Sequence, residues 1–147
     1  MTTVPEKFHL PCYKLHLGQL GGGRWEGEKW LVDLGSNTSV DACMVWLQGT
    51  VTAVEDEGDV VVIEDGGACC GRVVNCSSNP GAGCSWVRRG MYLQVVGQFL
   101  GKNKTSEVEV KCAKIVDLSD KNLLKQMWPL EVQELHNLIA GKVEFEE

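Results

Sequence analysis

A chain of 147 residues with 44% hydrophobic and 23% charged residues has the balance of one globular domain with a real core, and is short for two. A formal charge of −6 and a pI near 5.1 give it no long-range attraction for phosphate, so any nucleic acid would have to be held by a local patch. No apolar run approaches a membrane span, and seven cysteines, an odd number, argue against a disulfide framework and for a reducing, intracellular setting.

Residues 1–40 read as an N-terminal arm and loops. Lys14–Leu20 suits a short strand or lead-in, and Gly21-Gly22-Gly23 interrupts regular structure. Trp25 and Trp30 flank a charged segment and suit a lid that packs two indoles on the domain surface. The regular domain is expected over residues 41–140. Cys43–Val54 is a long strand interrupted by Gly49, where a bulge or sharp bend is expected, as small curled barrels require. Glu57-Gly58 turns the chain into a β-branched strand, Asp59–Asp65, and Gly66-Gly67 into a third, Ala68–Val74. Residues 75–90 form a long irregular loop. Met91–Phe99 is a fourth strand with Met91, Leu93 and Val95 on one face, and Gly101–Ser106 is a polar turn. In the fifth, Glu107–Val116, the apolar parity of Val108, Val110 and Cys112 passes to Ala113 and Ile115. The pattern therefore slips near Cys112, and Lys114 stands where an apolar residue would continue the first parity.

The last element is a helix over about 119–140, before an acidic tail, 141–147. Leu124, Trp128, Val132, Leu135 and Ile139 fall on one stripe, with Met127 and Leu138 at its edges and His136 off it. Ser119 or Asp120 is the expected N-cap and Gly141 the stop signal. Pro129 either kinks the helix or starts a second one. Five short strands, a glycine bend in the first and a terminal helix make an all-β fold, a five-stranded OB-fold barrel. A six-stranded barrel or compact sandwich is the alternative.

Chemistry is sparse. Cys69-Cys70, Cys76 and Cys84 lack the paired spacing of a zinc site, so neither metal nor cofactor is expected. His9, His16 and His136 suggest no catalytic arrangement, no phosphate loop is present, and an enzyme is not expected. An OB-fold can bind single-stranded DNA, and Arg72, Arg88, Arg89 and Lys102 are the basic residues for that alternative. The helix stripe is the stronger feature. A barrel fills its own interior and needs a plug at only one end, so five large apolar residues point to a partner surface. Trp128 would be its anchor.

Val45-Trp46-Leu47-Gln48-Gly49, Arg89-Gly90-Met91-Tyr92, Ala113–Asp120 and Met127–Val132 with Leu135-His136 resemble the RecQ-mediated genome instability protein 2 family. Pro129 departs from the helix former expected there. The resemblance spans about Val40 to Leu138 and implies a non-enzymatic nuclear scaffold. Its OB-fold and terminal helix would pair with the C-terminal OB-fold of a larger subunit. The pair would join the Bloom syndrome RecQ helicase and topoisomerase III alpha in dissolving double Holliday junctions, and would dock a peptide of the Fanconi anaemia group M translocase. It also implies that Lys114 and Trp128 bear on complex formation. Together with the stripe, this makes Lys114, Leu124, Met127, Trp128, Val132, Leu135, Leu138 and Ile139 the partner-binding candidates.

Overall fold

The computed structural model describes residues 11–35, 37–78, 86–103, 105 and 107–141. In chain order the elements are β1 (Cys12–Lys14), α1 (Leu17–Gly21), β2 (Arg24–Glu26), β3 (Lys29–Gly35), β4 (Thr38–Asp41), β5 (Met44–Glu55), β6 (Val60–Glu64), β7 (Cys70–Val74), β8 (Tyr92–Lys102), β9 (Glu107–Asp117) and α2 (Asn122–Ile139).

Strands β5-β6-β7-β9-β8 pair in that order, and β8 pairs again with β5, which closes a five-stranded barrel. β5 makes closure possible by serving two neighbours. Met44–Thr50 pairs with β8, and Thr50–Glu55 pairs with β6. The β5–β6 register shifts between Val51 and Ala53, so the irregularity lies just beyond Gly49 rather than at it. Gly49 is needed instead for close approach, since a Cβ there would stand 2.7 Å from the Glu64 carbonyl oxygen. Between β8 and β9 the register skips Ala113, because Val96 pairs with Lys114 and Gly97 with Cys112. This is the slip expected near Cys112. Strand alternation fills the interior with Val45, Leu47, Val51, Val61, Ile63, Val73, Leu93, Val95, Val108 and Val110.

Residues 11–41 are far more regular than an arm with loops. β1 adds to the barrel as a parallel neighbour of β5. α1 buries Leu17 and Leu20 in the core, and a Cβ at Gly71 would come within 2.8 Å of a Leu17 methyl. β2, β3 and β4 form a separate antiparallel sheet. Its inward residues, Trp30, Val32 and Val40, join the barrel core. The two indoles therefore do not share a role, because Trp30 is buried while Trp25 stays 53% exposed. A period-two signal, Trp30 and Val32 between Lys29 and Asp33, is present in the sequence but short, and the surrounding glycines obscure it.

α2 is one helix with Pro129 inside it. Its N-cap is Lys121, not Ser119 or Asp120. Ser119 is engaged elsewhere: its backbone N–H donates to Asp117 Oδ1, and its hydroxyl oxygen accepts from the Tyr92 backbone N–H at 3.1 Å. Gly141 follows the helix with φ of 69°, the left-handed conformation of a C-terminal stop. Of the expected tail, residues 142–147 lie outside the described residues.

Candidate protein-interaction site

Alternation along β5 and β8 points Trp46, Gln48, Thr50, Tyr92, Gln94 and Val96 away from the core, and α2 lies against this outer wall rather than plugging an end. Lys125, Trp128 and Pro129 line a cleft of about 360 Å³ with His16, Thr50, Glu64, Asp65, Gly66 and Tyr92. Lys125 Nζ sits 5.0 Å from the centre of the Tyr92 ring. One turn onward, Glu131 Oε1 accepts from Lys14 Nζ at 3.1 Å, and Lys14 Nζ in turn lies 4.8 Å from the Trp46 ring centre. His136 Nε2 is 3.0 Å from the Lys14 carbonyl oxygen, which can only accept, so Nε2 carries the proton. Nδ1 then accepts from Gln19 Nε2 at 3.3 Å.

These contacts create a small polar network under an apolar cover. The Tyr92 hydroxyl donates to Gln48 Oε1 at 2.9 Å, and Gln48 Nε2 donates to Gln94 Oε1 at 3.3 Å. Burial, with Asp65 and Glu131 adding negative charge, pushes the Tyr92 pKa up to about 12. Its hydroxyl is therefore protonated at neutral pH and available as a hydrogen-bond donor. Burial also holds His136 below the usual histidine range; the bond to Lys14 opposes that shift and His16 reinforces it. Two indole N–H groups, Trp46 Nε1 and Trp128 Nε1, are buried with no acceptor among the described residues. This is a cost tolerated for the packing of the rings.

The helix has two apolar sides. Trp128, Val132 and His136, spaced by four, are buried against the barrel, with exposures of 3%, 1% and 4%. Ile139 packs partly against the core. Thus Trp128 and Val132, candidates for a partner contact, are already enclosed by their own chain, and His136 belongs to the inner stripe rather than off it. Successive helical residues are about 100° apart around the axis, so Met127 faces away from Trp128. The outer side carries Leu123, Met127, Leu130 and Leu138, exposed by 66%, 41%, 67% and 45%. Leu124 is exposed beside this ridge. Leu135 is half-buried and lines a groove with Lys14, Glu131, Glu134 and Leu138. Leu123 and Leu130 are not among the candidates read from the sequence, although their steps of four and three around Met127 carry the signal.

Lys114 is exposed on β9, and its register partner Val96 pairs in turn with Trp46. The three form a row across the outer wall. The basic candidates do not form one patch, since only Arg72 and Lys102 come near each other, on either side of Glu109. Arg72 is paired with Glu55 at 3.0 Å, and its neighbours on β9 include Glu107 and Glu109. Arg88 and Arg89 precede β8 while Lys102 ends it, roughly 33 Å away by strand rise. Cys69 and Cys76 are buried and Cys70 is half-buried, whereas Cys84 and His9 lie outside the described residues. Among the described residues no group of three or more His, Cys, Asp or Glu side chains could hold a metal ion.

The barrel's relatives agree with its topology. A Schizosaccharomyces pombe Stn1–Ten1 complex contains a chain that superposes with a TM-score of 0.65 at 16% identity, covering 89% of this chain and 98% of that one. A replication protein A heterotrimer bound to single-stranded DNA contains one at 0.64 and 14% identity, covering 88% and 98%. At such identities the likeness establishes the OB-fold alone. In sequence, RecQ-mediated genome instability protein 2 of Gallus gallus is 31% identical over 132 residues, covering 88% of this chain and 94% of its own. The Mus musculus protein of that name is 31% identical over 136 residues, covering 88% and 85%. The model of the RecQ-mediated genome instability protein 2 family matches residues 11–136. An OB-fold barrel with a terminal helix on its outer wall, matched over nearly its whole described length, makes this chain a member of that family.

Proposed function

We propose that the chain is a non-catalytic nuclear scaffold that pairs through the outer side of α2 with the C-terminal OB-fold of a larger subunit. The pair would serve a complex of the Bloom syndrome RecQ helicase and topoisomerase III alpha that dissolves recombination intermediates and limits crossover. The Fanconi anaemia group M peptide would dock on the assembled pair. The observation that carries this is the ridge of Leu123, Met127, Leu130 and Leu138. These four large apolar side chains share one side of a helix whose other side packs on its barrel, they stay exposed among the described residues, and each contributes on the order of 1 kcal/mol when covered. Lys114, next to Val96 and Trp46 in the row across the wall, supplies a cation beside the same contact. Family membership supports the RecQ setting.

The test is the solution mass of the chain, alone and mixed with the larger subunit's C-terminal OB-fold, at low and high salt. A one-to-one complex that persists at high salt is expected, with at least a tenfold loss of affinity in Met127→Lys/Leu130→Glu. No complex, or a complex indifferent to those substitutions, overturns the assignment. Salt-sensitive binding of oligothymidylate that weakens in Arg88→Ala/Arg89→Ala would revive the DNA-binding alternative, which the scattered cations do not favour.

A further inference from the structure

Two of the protein's half-exposed aromatics are covered by its own cations: Lys14 lies over Trp46 and Lys125 over Tyr92. Trp25 differs. It stands 53% exposed on the three-stranded sheet, and among the described residues no ammonium or guanidinium lies over its ring. Nor is it a loose surface indole. It meets Trp30 edge-on, with ring centres 5.1 Å apart and planes at 71°, and Phe99 lies 6.1 Å away. Trp30 is fixed in turn by the hydrogen bond from its Nε1 to the Leu20 carbonyl at 2.8 Å and by stacking 4.9 Å from Phe99. Gly23 makes room for the cluster, and Gly101 borders it. A Cβ at Gly23 would lie 2.5 Å from Trp30 Nε1, and the far edge of Trp25 passes 4.0 Å from where a Cβ of Gly101 would be.

The aromatic wall borders a cleft of about 200 Å³, whose remaining lining includes Glu28, Asp41 and Gln98. Neither carboxylate is ion-paired among the described residues, whereas the sheet's Arg24 is taken up by Glu26 and Asp33. Residues 24–41 carry two cations against four carboxylates. An indole face beside two unpaired carboxylates and a carboxamide suits a planar cation. The ring quadrupole attracts its charge, and carboxylate oxygens accept its N–H groups. The same charges oppose a nucleobase carrying phosphate.

We propose that the Trp25 cleft is a docking site for an arginine side chain presented by a basic peptide segment of a partner protein, separate from the α2 ridge. Gln98 and the two carboxylates receive the guanidinium while Trp25 stacks on it.

The test is a titration of the isotope-labelled 147-residue chain with acetyl-Gly-Arg-Gly-amide, read at the indole N–H signals. The citrulline analogue (same shape, no charge), the lysine peptide and oligothymidylate serve as comparisons. Saturable movement of the Trp25 signal by the arginine peptide is expected, at least tenfold weaker with citrulline and weaker with lysine. The Trp30 signal, held by its bond to Leu20, should stay in place and report an intact fold. Glu28→Gln/Asp41→Asn should abolish the response while leaving both indole signals dispersed. Trp25→Ala should remove binding as followed at the Gln98 side-chain amide. The proposal is overturned if citrulline or lysine binds as well as arginine. It also fails if the double variant responds like the parent, or if only the oligonucleotide moves Trp25.

Discussion

Replacing Trp128 by alanine separates two roles that the sequence merges. If the indole packed on a partner, its loss would weaken the complex and leave the isolated chain alone. In the structure it is 3% exposed and sits on the chain's own wall beside Thr50, Tyr92 and Pro129. Truncating a buried Trp to Ala costs about 3–5 kcal/mol when the site cannot collapse. Two features lower that figure here. The cleft beside Trp128 is open, and the mutation also removes an indole N–H that is buried with no acceptor among the described residues. A loss of about 2–3 kcal/mol is therefore expected. With a urea slope of about 1–3 kcal/mol per molar, the unfolding midpoint should fall by roughly 0.7–3 M. Trp128→Phe keeps most of the packing, drops the orphaned donor, and should stay within about 1 kcal/mol of the parent. Urea unfolding followed by circular dichroism reads both. An unchanged midpoint in Trp128→Ala, together with lost partner binding, would refute the inward assignment and return Trp128 to the interface.

Three further outcomes follow from named contacts. His136 is held below its ordinary pKa in the fold, so the unfolded chain binds the extra proton first. Its contribution to stability should be complete above about pH 6.5 and decline as pH falls below that toward the lowered folded value. Urea midpoints at about pH 7.5 and about pH 5 should differ less in His136→Gln than in the parent, and equal differences would rule the effect out. Gly97→Ala places a Cβ 2.4 Å from the Lys111 carbonyl oxygen and 2.5 Å from Val110 Cγ1, at the bulge that joins β8 to β9. It should cost about 2 kcal/mol or more, and a melting temperature within about a degree of the parent would contradict that. Pro129→Ala restores a backbone donor inside α2 and should raise stability by about 1 kcal/mol or more, visible as a shift of roughly 2–4 °C in thermal unfolding. A lower melting temperature would show that the proline ring is needed where it lines the cleft.

The barrel is legible in the sequence because its signals are local. β-branched runs at period two, paired glycine turns and a parity slip at Cys112 each constrain a few adjacent residues. Five strands and the β9 bulge follow from them, although β8 runs to Lys102, into what reads as a polar turn from Gly101. The sheet of residues 24–41 is harder to read, since strands of three to seven residues between glycines carry too few alternations to stand out. α2 is legible as a helix and misleading as a surface. By polarity His136 reads as outward, yet a carbonyl and a carboxamide satisfy it in a buried site, and no local pattern announces those partners.

What the residues alone determined is the amphipathicity of each element: which strands have an inner face, and that the terminal helix carries more apolar surface than one contact needs. Which half of that surface is spent inside the molecule was decided only when β1, Gln19 and Tyr92 met α2 on the barrel wall. That choice placed Trp128 and Val132 within and left Leu123, Met127, Leu130 and Leu138 without. Periodicity records that a helix has apolar sides. Which side is covered depends on contacts between residues more than a hundred positions apart, such as Lys14 with Glu131 and Gln19 with His136.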